Sequence, residues 1–184
     1  MREISEWLPV FLSFYPVLHK RVPTIVYGSQ IIAVTKGIDV SSKDIDLLCP
    51  GATLKAIEEA YVESSGREEM RLELIRSKRG HVFTLYYPLG ERPIPIEIFT
   101  TTPLGDPLSA FPDHVIDVSR WGIDFISLTV EAYAVLEAAR GIRPISVERL
   151  RRIKIEWSEV EKLGEKFGLR DKVLCLRKMV ESGE

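Results

Sequence analysis

Asparagine is missing from this chain of 184 residues, and glutamine occurs once, as Gln30. Charged residues make up 28%, and scarce thermolabile amides beside abundant ion-pairing side chains point to a thermophilic source. Cysteine is nearly as scarce. Cys49 and Cys175 stand far apart, and His19, His81 and His114 are scattered, which argues against a zinc site and leaves both cysteines expected as small buried hydrophobes and the histidines as structural. No run reaches the eighteen apolar residues of a membrane-spanning helix. The stretch from Met1 to Arg21 carries acids early and Pro9 and Pro16 inside its apolar part, unlike a secretory signal. A cytoplasmic protein without a membrane partner is therefore expected. The net charge is only −2, so a large basic field for nucleic acid is lacking, and small substrates or a protein partner fit more easily.

Hydrophobic residues make up 45% of the sequence, enough for a conventional core. Ser5 is placed to cap a first helix with Trp7, Leu8, Phe11, Leu12, Tyr15 and Leu18 on one face, which Pro16 should bend or end. A buried strand at 24–28, a short helix at 29–35, a loop around Gly37 and a strand at 44–49 follow. Thr53 begins a helix with Leu54, Ile57 and Tyr61 turned inward. Strands are expected at 70–76, 81–87 and 94–100, with a turn at Ser77-Lys78-Arg79-Gly80 and basic residues (Arg67, Arg71, Arg76, Lys78, Arg79, Arg92) that read first as a solvated sheet face and second as an acceptor-binding patch. The loop from Thr101 to Pro112 reads equally as a lid or a passive crossover. After a strand at 115–118 and the Trp121-Gly122 turn, everything reads as helical: one helix from Ser127 or Thr129 to Gly141, one from Pro144 through a seam of Val147, Leu150, Ile153, Trp157, Val160 and Leu163 to Gly164, and a last one over 170–180. The seam suits packing within the chain, with a homodimer or partner contact as the second reading.

The chemistry concentrates in Lys43-Asp44-Ile45-Asp46-Leu47-Leu48. Residues two apart on a strand share a face, with Cβ atoms roughly 6.5 to 7 Å apart, so Asp44 and Asp46 can reach one cation while Ile45 and Leu47 face the core. Glu97 repeats the phase in Ile94-Pro95-Ile96-Glu97-Ile98-Phe99. Three carboxylates of this kind suit hard divalent cations and in-line phosphoryl displacement. Gly28-Ser29 sits at a strand-to-helix turn fourteen residues or more before them, where glycine admits a close ligand and a hydroxyl donates to an anion. Gln30 beside it reads either as a helix-surface residue or as a contact to phosphate or base.

Gly28-Ser29, then Asp44-Ile45-Asp46-Leu47, then an acid on a later strand resembles the signature of the polymerase-beta-type nucleotidyltransferase superfamily, especially its minimal members, over about residues 20 to 100. Many relatives carry a basic residue four positions before the first aspartate and a hydroxyl two before it. Here Val40 and Ser42 occupy those places, so the hydroxyl matches and the base does not, leaving Lys36 or Lys43 as substitutes.

The resemblance implies an α+β fold with a mixed sheet: a nucleotidyltransferase-like core with its N-terminal helix over 1–125, and a C-terminal helical region over 126–184 packed on it. It implies Asp44, Asp46 and Glu97 as catalytic metal ligands for Mg²⁺ or Mn²⁺, and Gly28 and Ser29 as phosphate contacts. The implied reaction moves a nucleoside monophosphate from a nucleoside triphosphate to the hydroxyl of a protein, RNA end or small molecule. The competing expectation is a non-catalytic nucleotide-binding or partner protein with the same fold. The resemblance also implies a small helical protein partner, as in toxin–antitoxin pairs.

Overall fold

Alternating apolar and polar residues build the strands, and their apolar faces decide how the helices pack. The computed structural model describes residues 6–77 and 80–182. In chain order the elements are α1 (Trp7–His19), β1 (Ile25–Val26), α2 (Gln30–Lys36), β2 (Ile45–Leu48), α3 (Leu54–Ser65), β3 (Leu72–Ser77), β4 (Gly80–Tyr87) and β5 (Ile94–Phe99). They continue with α4 (Pro107–Ala110), β6 (Val115–Arg120), β7 (Ile123–Leu128), α5 (Val130–Arg140), α6 (Pro144–Arg151), α7 (Trp157–Lys166) and α8 (Arg170–Ser182). The strands form one mixed sheet in the order β3-β4-β5-β2-β1-β7-β6. β2 runs parallel to β5, β1 parallel to β7, and the remaining neighbours are antiparallel. This is the α+β architecture expected, with helices at both chain ends.

The sheet holds one strand more than the sequence reading expects. Trp121 and Gly122 both have positive φ, +52° and +75°, the pairing that a tight two-residue hairpin turn requires. The chain therefore returns as β7, in register from Arg120↔Ile123 to Val115↔Leu128, instead of entering a helix. β7 lies between β1 and the edge strand β6, and it spans position 125, the expected boundary of the core. The long helix expected from Pro144 to Gly164 is two helices, α6 and α7, separated by a break over residues 152–156.

At the N-terminus, α1 continues through Pro16 to His19. Trp7, Val10, Phe11, Phe14, Tyr15 and Leu18 bury the face it turns to the core, each worth about 2 kcal/mol, while Leu8 and Leu12 only flank it. That burial outweighs the backbone hydrogen bond Pro16 cannot make. The Tyr15 hydroxyl fixes the helix to the sheet: it donates to the Thr24 carbonyl (2.9 Å) and accepts from the Ile126 amide (2.9 Å). Ser5, Lys78 and Arg79 lie outside the described residues. Thr53 caps α3, but Leu54 points outward and Ala60 takes its place beside Ile57 and Tyr61. Burial pushes the Cys49 thiol up to about 12, and its hydrogen bond to Thr24 Oγ1 (3.3 Å) opposes the shift. Cys175 is exposed, against expectation, because it lies on the outer face of α8. Among the described residues no helix is long and apolar enough to cross a membrane.

Candidate functional site

β2 and β5 pair in parallel register with Asp46 directly opposite Glu97, so the two side chains project from the same face. Ile45, Leu47, Ile96 and Ile98 go the other way into the core. Asp44 lies just before β2, two residues from Asp46. All three acids line one cleft of about 370 Å³, with Ser29, Ser42 and Lys43 from the neighbouring loops and Phe99 from the end of β5.

Gly28 lies against Asp46 so closely that a Cβ there would stand 1.9 Å from the aspartate Oδ2, and its φ of +59° is itself one that side-chain-bearing residues avoid. Glycine is required at this turn by a carboxylate as well as by backbone geometry. The hydroxyls form a chain: Ser29 Oγ donates to Ser42 Oγ (3.3 Å), which donates to Asp44 Oδ1 (2.9 Å). Ser42 therefore orients the first aspartate.

Gln30 is neither a surface residue nor a free ligand contact. It is fully buried; its Nε2 donates to the Asp44 carbonyl (2.8 Å), and its Oε1 accepts from the Asp46 amide (3.3 Å). The sole glutamine of the chain thus brackets the backbone that carries both aspartates and joins it to the start of α2.

Packed protein around the half-buried Asp46 pushes its carboxyl up to about 7, and the neighbouring charges of Asp44 and Glu97 add to the shift, partly offset by Arg140 and Arg143. Glu97 is raised by burial and by Asp44, with Arg140 opposing. Two strands and a loop therefore hold more negative charge than the metal-free cleft favours. Hard oxygen donors of this type fit Mg²⁺ or Mn²⁺, and a cation would relieve the repulsion that raises Asp46. Among the described residues no three His, Cys, Asp or Glu side chains already stand in a metal-binding arrangement.

The cleft also has a cationic wall. Arg140, Arg143 and Arg149 line it, supplied by α5, α6 and the turn between them. Arg149 Nη2 donates to the Ser41 carbonyl, tying α6 to the segment before the aspartates. Lys43 lines the cleft and Lys36 does not. Sequence motifs do not point to these arginines, which lie about a hundred residues after the Gly-Ser turn. The one available signal is Glu137, the acid inside the otherwise apolar run from Ala132 to Ala139, followed by Arg140 and Arg143.

The loop after β5 is a folded crossover. Thr102 and Gly105 close a bridge, Asp106 caps α4, Phe111 is buried, and Lys166 donates to the Ala110 carbonyl (2.9 Å). None of its residues is among the described residues lining the cleft.

In three dimensions the chain is similar to a crystal structure described as "putative nucleotidyltransferase from H. pylori", with a TM-score of 0.52 and 10% identity over 100% of this chain and 99% of that one. At that identity the likeness shows the fold: this is a nucleotidyltransferase-like fold. By sequence, no family profile and no curated protein matches the chain.

Proposed function

We propose that the protein is a metal-dependent nucleotidyltransferase that moves a nucleoside monophosphate from a nucleoside triphosphate to an acceptor hydroxyl, with pyrophosphate leaving. The observation that supports this reading best is the Asp46–Glu97 register beside Asp44 and against Gly28, on a nucleotidyltransferase-like fold. Asp44 and Asp46 would hold Mg²⁺ or Mn²⁺ for the triphosphate, and together with Glu97 would hold a second ion. Bound there, the cations would neutralise phosphate charge and lower the acceptor hydroxyl's pKa. Glu97, whose carboxyl is raised by burial, would accept the hydroxyl proton. Gly28 leaves room for the Asp46 carboxylate, and its backbone together with the Ser29 hydroxyl would contact the leaving phosphates. Ser42 and Gln30 keep Asp44 and Asp46 in place.

A non-catalytic nucleotide binder or partner protein is the second reading, favoured by the lack, among the described residues, of a preassembled metal-binding trio. Incubating the protein with labelled nucleoside triphosphates, Mn²⁺ or Mg²⁺ and cell extract separates the two. Transfer of label to a protein, RNA or small molecule, lost in Asp46→Asn, is the expected result. Metal-dependent nucleotide binding without transfer supports a non-catalytic nucleotide binder, and no binding sinks the transferase and leaves the partner protein as the better account.

A further inference from the structure

Glu137 is completely buried in α5, where an ionised carboxylate persists only if it is paired and hydrogen-bonded. Three side chains satisfy it. Arg143 donates through Nη2 to both oxygens (2.8 and 3.0 Å) and through Nε (3.2 Å), Ser146 Oγ donates from α6, and Arg140 Nη1 stands 3.7 Å away. Both arginines line the cleft that holds Asp44, Asp46 and Glu97. Arg140 is fixed further by its hydrogen bond to the Tyr27 hydroxyl (2.6 Å) and by lying over the Tyr27 and Phe99 rings, 4.7 and 5.6 Å from their centroids.

A buried ion pair seldom adds stability over an apolar pair of similar volume, so the consequence of this one is directional. A carboxylate that takes one edge of a guanidinium leaves the other edge aimed in a set direction, with little side-chain entropy left to lose on binding an anion. Arg143 spends Nε and Nη2 on Glu137; among the described residues its Nη1 makes no hydrogen bond, and the side chain is 54% exposed. The cleft's other charged side chains include three acids, so a guanidinium presented there is what an entering anion can pair with.

We infer that Glu137 is a positioning residue that aims Arg140 and Arg143 as a clamp for the phosphate oxygens of a polyphosphate ligand. That the ligand is the tail of a nucleoside triphosphate rests on the proposed transferase reading; the clamp itself does not. The segment after the sheet thereby adds positive charge to that of Lys43, in a chain that has Val40 at the place of a base.

Calorimetric titration of the full chain with inorganic tripolyphosphate in EDTA tests the clamp without metal or turnover. The parent should bind, and Arg143→Gln and Glu137→Gln should each bind about tenfold or more weakly. Arg71→Gln, at an exposed position just before β3, should match the parent. Because Glu137→Gln can fail to fold, Glu137→Asp is the second variant: it keeps the charge but withdraws the carboxylate by one methylene, and should melt cooperatively yet bind tripolyphosphate several-fold more weakly. A merely structural role leaves affinity unchanged in any variant that is folded at the temperature of titration. Folded Glu137 variants within about twofold of the parent, a parent that does not bind, or loss of cooperative melting in both Glu137 variants would each overturn the inference. Failure to transfer nucleotide, with tripolyphosphate binding and its dependence on Glu137 intact, counts against the transferase reading alone.

Discussion

Among single residues, Asp46 carries the sharpest conflict between folding and chemistry. Its carboxyl is pushed from 3.8 to about 7 in the folded chain, so between those values the folded state holds a proton that the unfolded state has released. The stability this contributes is present below about pH 4 and is lost as pH rises through 7, a swing on the order of 2 to 4 kcal/mol. In EDTA the parent should therefore melt lower at pH 8 than at pH 5. Asp46→Asn should remove most of that dependence and exceed the parent's stability at pH 8, while transfer activity falls on the order of a hundredfold or more. Melting curves at the two pH values check the first half; equal pH slopes for parent and variant would refute it. Gly28 shows the same conflict from the other side. Gly28→Ala places a methyl where Asp46 Oδ2 lies, at a φ of +59°, and should cost about 1 to 3 kcal/mol from the backbone alone, read from the denaturation midpoint, with metal binding lost as the carboxylate is displaced.

Between elements, Gln30 is what turns two nearby segments into a site. Gln30→Leu keeps the volume but leaves the Asp44 carbonyl and the Asp46 amide without their buried partners, at about 1 to 3 kcal/mol for each group. Hydrogen exchange at the Asp46 amide should accelerate more than at Leu47 or Leu48, and a uniform change along β2 would show that Gln30 acts only through global stability. The strands that carry the acids were legible because strand phase is local: apolar alternation in 45–48 and 94–99 already assigns Asp46 and Glu97 to the polar face. β7 is not legible as a strand, since Trp121-Gly122 looks like any turn until the positive φ of both residues shows a hairpin. Arg140, Arg143 and Glu137 were illegible for another reason. Their place in the cleft follows from how α5 and α6 pack after β7, a tertiary result with no spacing rule. Gln30 was misread because its partners are backbone groups, which leave no trace in residue identities.

For the whole molecule, the division into a core over 1–125 and a helical region over 126–184 becomes a question of cooperativity. β7 crosses that division and pairs with β1 in the sheet, Arg140 bonds Tyr27, and Tyr15 of the first helix bonds β7. Separating the C-terminal helices would strip Glu137 and Arg140 from their contacts and expose the buried faces of α5 and of the strands beneath it. One unfolding transition is therefore expected despite the chain's length. Trp7, Trp121 and Trp157 sample α1, the β6–β7 turn and α7, so single-tryptophan versions report on the two ends and the middle. Their fluorescence transitions in urea should coincide with one another and with loss of helical circular dichroism. A ligand that bridges the carboxylates and the arginine wall should move all of them together, by about 2.7 kcal/mol at a hundredfold excess over its Kd. Mn²⁺ with a nucleoside triphosphate is the pair to use. If Trp157 melts first and ligand shifts only the other two, the helices are an independent appendage, and the cleft is built by residues 1–128 without them.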